Sequence, residues 1–399
     1  MEAYFVDWLS LLARWLHLIT GIAWIGASFY FIWLDNHLEP YQGENKRVYG
    51  ELWSVHGGGF YHKQKYLLGP ERIPETLHWF KWEAYWTWIS GMLMLGIVYW
   101  WGASTMLIDR SVADLSSTSA IAISAGSLLA GWLIYDLLCR LIRNDAVLGA
   151  VIYLLLVAAA WGFQQVFSAR AAYIHVGATI GTIMVASVFF IIIPGQRKMV
   201  EAIRAGQTPD PAPGLDGKRR SVHNNYFTLP VVLIMVSNHY PMTYGHPHAW
   251  LVLAVIGAAG VLVRHFFNLR HRGRIAPGYP LAALALLAAL AVAIAPLRPA
   301  APSGGAAEAS AEKVTLQQVQ AIISARCVSC HAAQPTQPGF AQPPGGVMLD
   351  SAERIQQQAG RIHQQAVLAR VMPPGNLTGI TDEERATLGR WLLQSSQGN

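Results

Sequence analysis

The sequence predicts an all-α protein: an eight-helix transmembrane bundle followed by a small helical domain. Three observations carry that reading. Of 399 residues, 53% are apolar and only 13% charged, where soluble domains carry about 25%. Eight apolar stretches are long enough to cross a hydrocarbon core, which takes roughly 20 helical residues. Near residue 300 the composition changes abruptly, and nearly a quarter of the chain beyond it is polar. The 15 Trp and 36 Gly suit membrane helices, because Trp favours the lipid–water boundary and Gly lets helices approach closely. Basic residues punctuate apolar segments and form no stripe, which argues against a nucleic-acid partner and for the lipid bilayer. Three Cys cannot build a disulfide framework.

The predicted spans are roughly 8–34, 84–103, 117–135, 146–165, 171–193, 226–237, 249–267 and 279–295. The sixth is short and contains Pro230, yet no Asp, Glu, Lys or Arg occurs from Ser221 to Val263. The first is not expected to be a cleaved signal peptide, since no basic residue precedes it and no small-residue cleavage site follows. Loops after the odd-numbered spans hold seventeen Lys and Arg, the alternate loops only Arg110 and Arg170. Cytoplasmic loops are the basic ones, so both termini are expected outside, in the periplasm if the membrane is a bacterial inner (cytoplasmic) membrane. Residues 297–311, rich in Ala, Pro, Gly and Ser, read as a flexible linker dividing a membrane domain (1–296) from a terminal domain (312–399).

Within the terminal domain, Cys327-Val328-Ser329-Cys330-His331 is the attachment pattern of a haem c. Two thiols add to the haem vinyl groups and the following His reaches the iron. Met372-Pro373-Pro374-Gly375-Asn376 supplies a thioether on a Pro-stiffened strap, the usual sixth ligand in small cytochromes c. Met348 is a rival ligand without such a strap. A zinc or redox Cys pair is the other reading, but zinc needs two more ligands at short spacing and only His363 is available. Helices are expected at 315–326, opened by a Thr-x-x-Gln capping box, and at 381–394.

Twelve of the 14 His precede the linker, and polar residues inside spans default to functional hypotheses. His17, His175 and His239 fall in the outer thirds of different spans, as paired ligands of a haem b would, although each can equally satisfy a neighbouring carbonyl. Toward the cytoplasmic side, the segment from Ser54 to Lys65 combines a Gly run with His56, His62, Phe60, Tyr61 and Lys65. The segment from Ser221 to Thr228 adds His223 beside the amides of Asn224 and Asn225. Both look built for a flat ligand; the plainer reading of each is a loop re-entering the interface. Cys139 reads as a small packing residue.

Span one around Trp15, His17, Gly21, Trp24 and Gly26, the SVHGGGFYHKQKY and VHNNYFTLP…SNHYP segments, and the appended CVSCH…MPPGN domain together resemble the integral-membrane, cytochrome-c-linked urate oxidases. The resemblance implies oxidation of urate to 5-hydroxyisourate, with electrons leaving through haem to a soluble cytochrome c or a respiratory acceptor, and no peroxide. It carries no catalytic residues with it. The residues themselves suggest His56, His62 or His223 as base, Asn224 and Asn225 as readers of the purine edge, Phe60 and Tyr61 as ring faces, and Lys65 as a cation. A site on the cytoplasmic side would lie ~30 Å from haem c, so an embedded haem b is expected as a relay. The rival function is a non-enzymatic cytochrome subunit relaying electrons from a partner dehydrogenase.

Overall fold

The computed structural model describes residues 2–295 and 314–396; the expected linker, 297–311, lies outside them. The chain is mostly helical. Helix α1 (Glu2–Asn36) has 35 residues, about 52 Å at 1.5 Å per residue, more than a hydrocarbon core requires. A β-hairpin after α1 corrects the expectation of an all-α chain. Strands β1 (Val48–His56) and β2 (Gly59–Tyr66) pair antiparallel, with His56 opposite Gly59. Gly57 and Gly58 both have positive φ, 57° and 80°, which a two-residue hairpin turn of the I′ kind demands. The flanking Trp53, Val55, Phe60 and Tyr61 are aromatic or β-branched, the types that favour strands. The Gly run is therefore spent on a turn. The hairpin leans on the end of α1: Lys65 pairs with Asp35 at 2.5 Å, and the Lys63 ammonium sits 5.7 Å from the Tyr30 ring centroid.

Helix α2 (Trp82–Met94) runs on through two π-helical turns, Leu95–Trp100 and Ala103–Leu107. Helices α3 (Ser117–Leu141), α4 (Asp145–Gln164) and α5 (Ala169–Ala186) each open on a side-chain cap: Ser116, Asn144 and Ser168. A π turn carries α5 into α6 (Ile193–Arg204). Helix α7 (Ala212–Ser237), short α8 (Pro241–Tyr244), α9 (Ala249–Arg270) and α10 (Gly278–Ala293) complete this part. Among the described residues, five helices are long and apolar enough to cross a membrane: Tyr4–Asn36, Ser117–Leu141, Asp145–Gln164, Ala169–Arg204 and Ala249–Arg270. The expected second span corresponds to α2 and the π turn Leu95–Trp100 that continues it, and is not among the five. The sixth lies in α7, whose first half carries Asp216, Lys218, Arg219 and Arg220, and the eighth corresponds to the shorter α10.

Packing explains the apolar periodicity. On α3, Ala120, Ser124, Leu128, Trp132, Tyr135 and Cys139 are buried, whereas Leu129, Leu133, Leu137 and Leu141 form an exposed stripe. Apolar residues on both faces of a helix are what a lipid-facing bundle requires. Helix α5 is the central element, buried along much of its length. Gly177 lies against Ile234 of α7, and Gly131 of α3 against Thr179, close approaches that a Cβ would obstruct.

The terminal domain contains α11 (Leu316–Arg326), α12 (Val328–His331), α13 (Ala352–Gln357), α14 (Ala359–Ile362) and α15 (Asp382–Ser396). The expected capping box at Thr315 and Gln318 is present. Val319, Ile323, Ile355, Ile362, Leu388 and Trp391 form its own core. The domain meets the bundle through the Met372 strap. Val371 packs against the bundle core, and Gly375 lies so close to the Ile108 carbonyl that a side chain there would clash.

Candidate functional site

Three helices converge at the basic end of the bundle. Positions 264, 268 and 271 share one face of α9 and its C-terminal turn, and positions 29, 33 and 37 share one face of α1 and the residue just past its end, as spacings of three and four residues dictate. Between them lies Asn225 of α7, fully buried. Its Oδ1 accepts from Arg264 Nε at 2.8 Å and from Asn268 Nδ2 at 3.1 Å, which fixes the amide with Nδ2 as its donor end. The Arg264 guanidinium lies 4.1 Å from the Phe29 ring centroid. Trp33, His37 and His271 continue the track: the rings of Trp33 and His37 are 5.0 Å apart, those of His37 and His271 5.3 Å.

Polar capacity here is left open in a complementary way. Arg264 Nη2, Asn225 Nδ2, Asn268 Oδ1 and His271 Nδ1 are buried with no hydrogen-bond partner. Arg264 is 4% exposed, yet among the described residues no carboxylate pairs with it. A guanidinium cannot shed its proton, and taking an ion out of water costs several kcal/mol unless it is compensated. The arrangement presents a planar cation, a free donor, a free acceptor and an aromatic face. It suits a flat anion with both donors and acceptors on its rim.

Of the residues singled out in the sequence, Asn225 lies in this cluster. Its neighbour Asn224 is buried and donates to the Met184 carbonyl at 3.1 Å, with its own Oδ1 left unpartnered. His223 faces α3, its Nδ1 2.8 Å from the Tyr135 hydroxyl and its Nε2 3.9 Å from Asp145. His56 sits exposed at the hairpin turn. His62 pairs with Glu51 at 2.6 Å and stacks on Trp53. Phe60 is 79% exposed, Tyr61 is exposed too, and Lys65 is held by Asp35. No hydrogen bond, ion pair or ring contact joins His56, His62 or His223 to the Arg264 cluster among the described residues. Sequence reasoning missed Arg264, Asn268, Phe29, His37 and His271. Arg264 is the first charge after a charge-free run of more than forty residues and stands inside a predicted span, which was the available signal.

The three histidines expected at the outer end do not meet: no ring contact joins any two of them among the described residues. His175 is fully buried, with Nδ1 donating to the Ala171 carbonyl at 2.7 Å and Nε2 2.6 Å from the Ser124 hydroxyl. Both nitrogens are committed, so His175 does not fit a haem iron as it stands. His17 Nδ1 lies 3.0 Å from the Thr87 carbonyl, leaving Nε2 available. His239 is exposed just past the end of α7.

In the terminal domain, His331 Nδ1 donates to the Val347 carbonyl at 2.8 Å, which orients the ring and reserves Nε2 for a ligand bond. Cys327, Val328, Val347 and Met372 pack on one core. Burial pushes the Cys327 thiol up to about 12 and also raises Cys330. Arg385 Nη1 holds the Met372 carbonyl at 2.8 Å. These donors fit a haem c. Among the described residues no three His, Cys, Asp or Glu side chains gather as a bare metal site.

A helical bundle with apolar exterior faces and five helices long enough to cross a bilayer is consistent with a membrane protein, and inside it Arg264 is buried with no carboxylate partner among the described residues. The family model described as "Urate oxidase N-terminal" matches residues 3–295, and the chain belongs to that family. Membership marks it as a urate-related oxidoreductase. No curated protein and no solved structure matches the chain.

Proposed function

We propose that the protein oxidises urate to 5-hydroxyisourate in a bacterial inner membrane and passes the electrons to a soluble cytochrome c or another respiratory acceptor. The observation that carries this is Arg264, a buried cation with no counter-ion among the described residues, beside two half-satisfied amides. Urate at neutral pH is a flat monoanion whose rim alternates N–H donors and carbonyl acceptors. Arg264 Nη2 and Asn225 Nδ2 would donate to its carbonyl or deprotonated nitrogen, Asn268 Oδ1 would accept from an N–H, and Phe29 would present a ring face. Burial excludes competing water and strengthens each of these contacts.

Cys327 and Cys330 would hold a haem c covalently, with His331 and Met372 on its iron. Bound there, the haem supplies a one-electron acceptor outside the membrane. His331 is oriented by Val347, and Arg385 fixes the backbone from which the Met372 thioether projects. A haem b held through His17 Nε2 is a proposal of the same kind; acid-acetone, which removes non-covalent haem and leaves haem c, is its test.

The deciding experiment adds urate to the purified protein without oxygen. Reduction of the haem bands with no other protein present supports the oxidase. A protein whose haem stays oxidised until a dehydrogenase is supplied is instead an electron-relay subunit.

A further inference from the structure

We infer that His271 takes the proton urate gives up on oxidation and that His37 passes it on toward the basic end of the bundle. This rests on the proposed urate oxidation. When bound urate monoanion is oxidised, one N–H bond breaks and two electrons leave for two equivalents of a one-electron haem-type acceptor. The products are a neutral, electron-poor ring and one proton. Water then adds at C5: its oxygen forms the new C–O bond, one of its hydrogens stays on that oxygen and the other goes to a ring nitrogen, so this second stage is charge-neutral. A single base is therefore required, and it must be neutral before the reaction.

His271 meets that requirement by position. It follows Arg264 and Asn268 on one helical face, and its Nδ1 is buried without a partner. Other histidines at this end have their corresponding nitrogen committed: His265 Nδ1 lies 2.7 Å from the Tyr226 hydroxyl, and His223 Nδ1 2.8 Å from that of Tyr135. The next acceptor is also set. His37 Nδ1 donates to the Trp33 carbonyl at 2.8 Å, so the neutral ring carries its lone pair on Nε2, and its ring lies 5.3 Å from that of His271. Arg272 Nε donates to Asn36 Oδ1 at 3.1 Å, tying the two elements together at this point. The charged or titratable groups acting on His271 are His37 from α1 and Arg264 and Arg270 from α9. Burial first, then the neighbouring His37 ring and the Arg264 and Arg270 cations, hold its imidazole below the usual value, which keeps it an acceptor at neutral pH.

The test uses the full-length, haem-loaded protein with His271→Gln and, as a check on folding, His271→Asn. Urate binding is measured by equilibrium dialysis, and anaerobic urate-driven haem reduction is followed across the imidazole titration range. Binding should stay within about twofold while reduction slows roughly 10²–10⁴-fold, the usual worth of a positioned base. The imidazole-dependent limb of the pH profile should vanish, and added free imidazole should restore part of the rate. His37→Gln should give a smaller loss that concentrated buffer relieves. His271 variants that bind urate and keep the wild-type rate and pH profile would overturn the inference and leave the urate site standing. Wild-type protein that fails to bind urate would overturn both.

Discussion

Two arginines are buried at the basic end of this bundle, and they differ in whether a carboxylate pairs with them. Arg220, 1% exposed, donates to Asp136 at 2.7 Å and lies 5.0 Å from the Tyr135 ring centroid. Arg264, 4% exposed, also lies over an aromatic ring but donates to the amide of Asn225 and, among the described residues, to no carboxylate. The first is compensated within the chain and ties α7 to α3. The second has only the Asn225 amide oxygen and the Phe29 ring face, and no carboxylate among the described residues. Equal burial with unequal pairing separates a cation that holds helices together from one whose charge, on the proposed function, urate would neutralise.

The largest effect that sharpens this contrast is on Arg220. Arg220→Met should destabilise the protein by about 3–5 kcal/mol, the cost of breaking a buried pair, while whatever protein folds keeps its urate affinity. Thermal unfolding and equilibrium dialysis measure the two quantities separately. A large loss of affinity at unchanged stability would move the anion site to Arg220.

Asn225→Ala and Asn268→Ala come next. A buried amide that loses its partner costs ~1–3 kcal/mol, so each should weaken urate binding by roughly tenfold or more. Wild-type affinity in both variants would break the account of Arg264, because its neighbours would then be structural.

The smallest effects belong to the hairpin. His56→Ala and His62→Ala should change urate-driven reduction by less than about twofold, since His56 is exposed and His62 is tied to Glu51. A loss approaching the roughly 10²-fold expected of a catalytic base would return that role to the strands.

How legible this was in the sequence depended on range. The apolar stretches all landed in helices, because hydrophobic runs and caps such as Thr315 and Ser116 are local signals. The hairpin was missed although Gly57-Gly58 is a turn signal, because a ligand-binding reading of the Gly run displaced it. Asn225 was found because two adjacent amides in an apolar run are conspicuous. Its partners were not: Phe29, Arg264 and Asn268 come from helices more than two hundred residues apart, and only packing of α1 against α7 and α9 joins them. His17, His175 and His239 share a depth in the sequence, but equal depth on different helices does not make side chains meet.

The central claim is that urate supplies the charge Arg264 lacks, and the urate dependence of the melting temperature in Arg264→Met tests it most directly. In the wild type, bound urate should raise the melting temperature in proportion to the logarithm of its concentration above Kd. Arg264→Met should melt higher than the wild type without urate, having shed an uncompensated buried charge, and should show no urate-dependent shift. A variant that melts lower than the wild type and keeps the full urate shift would contradict the account.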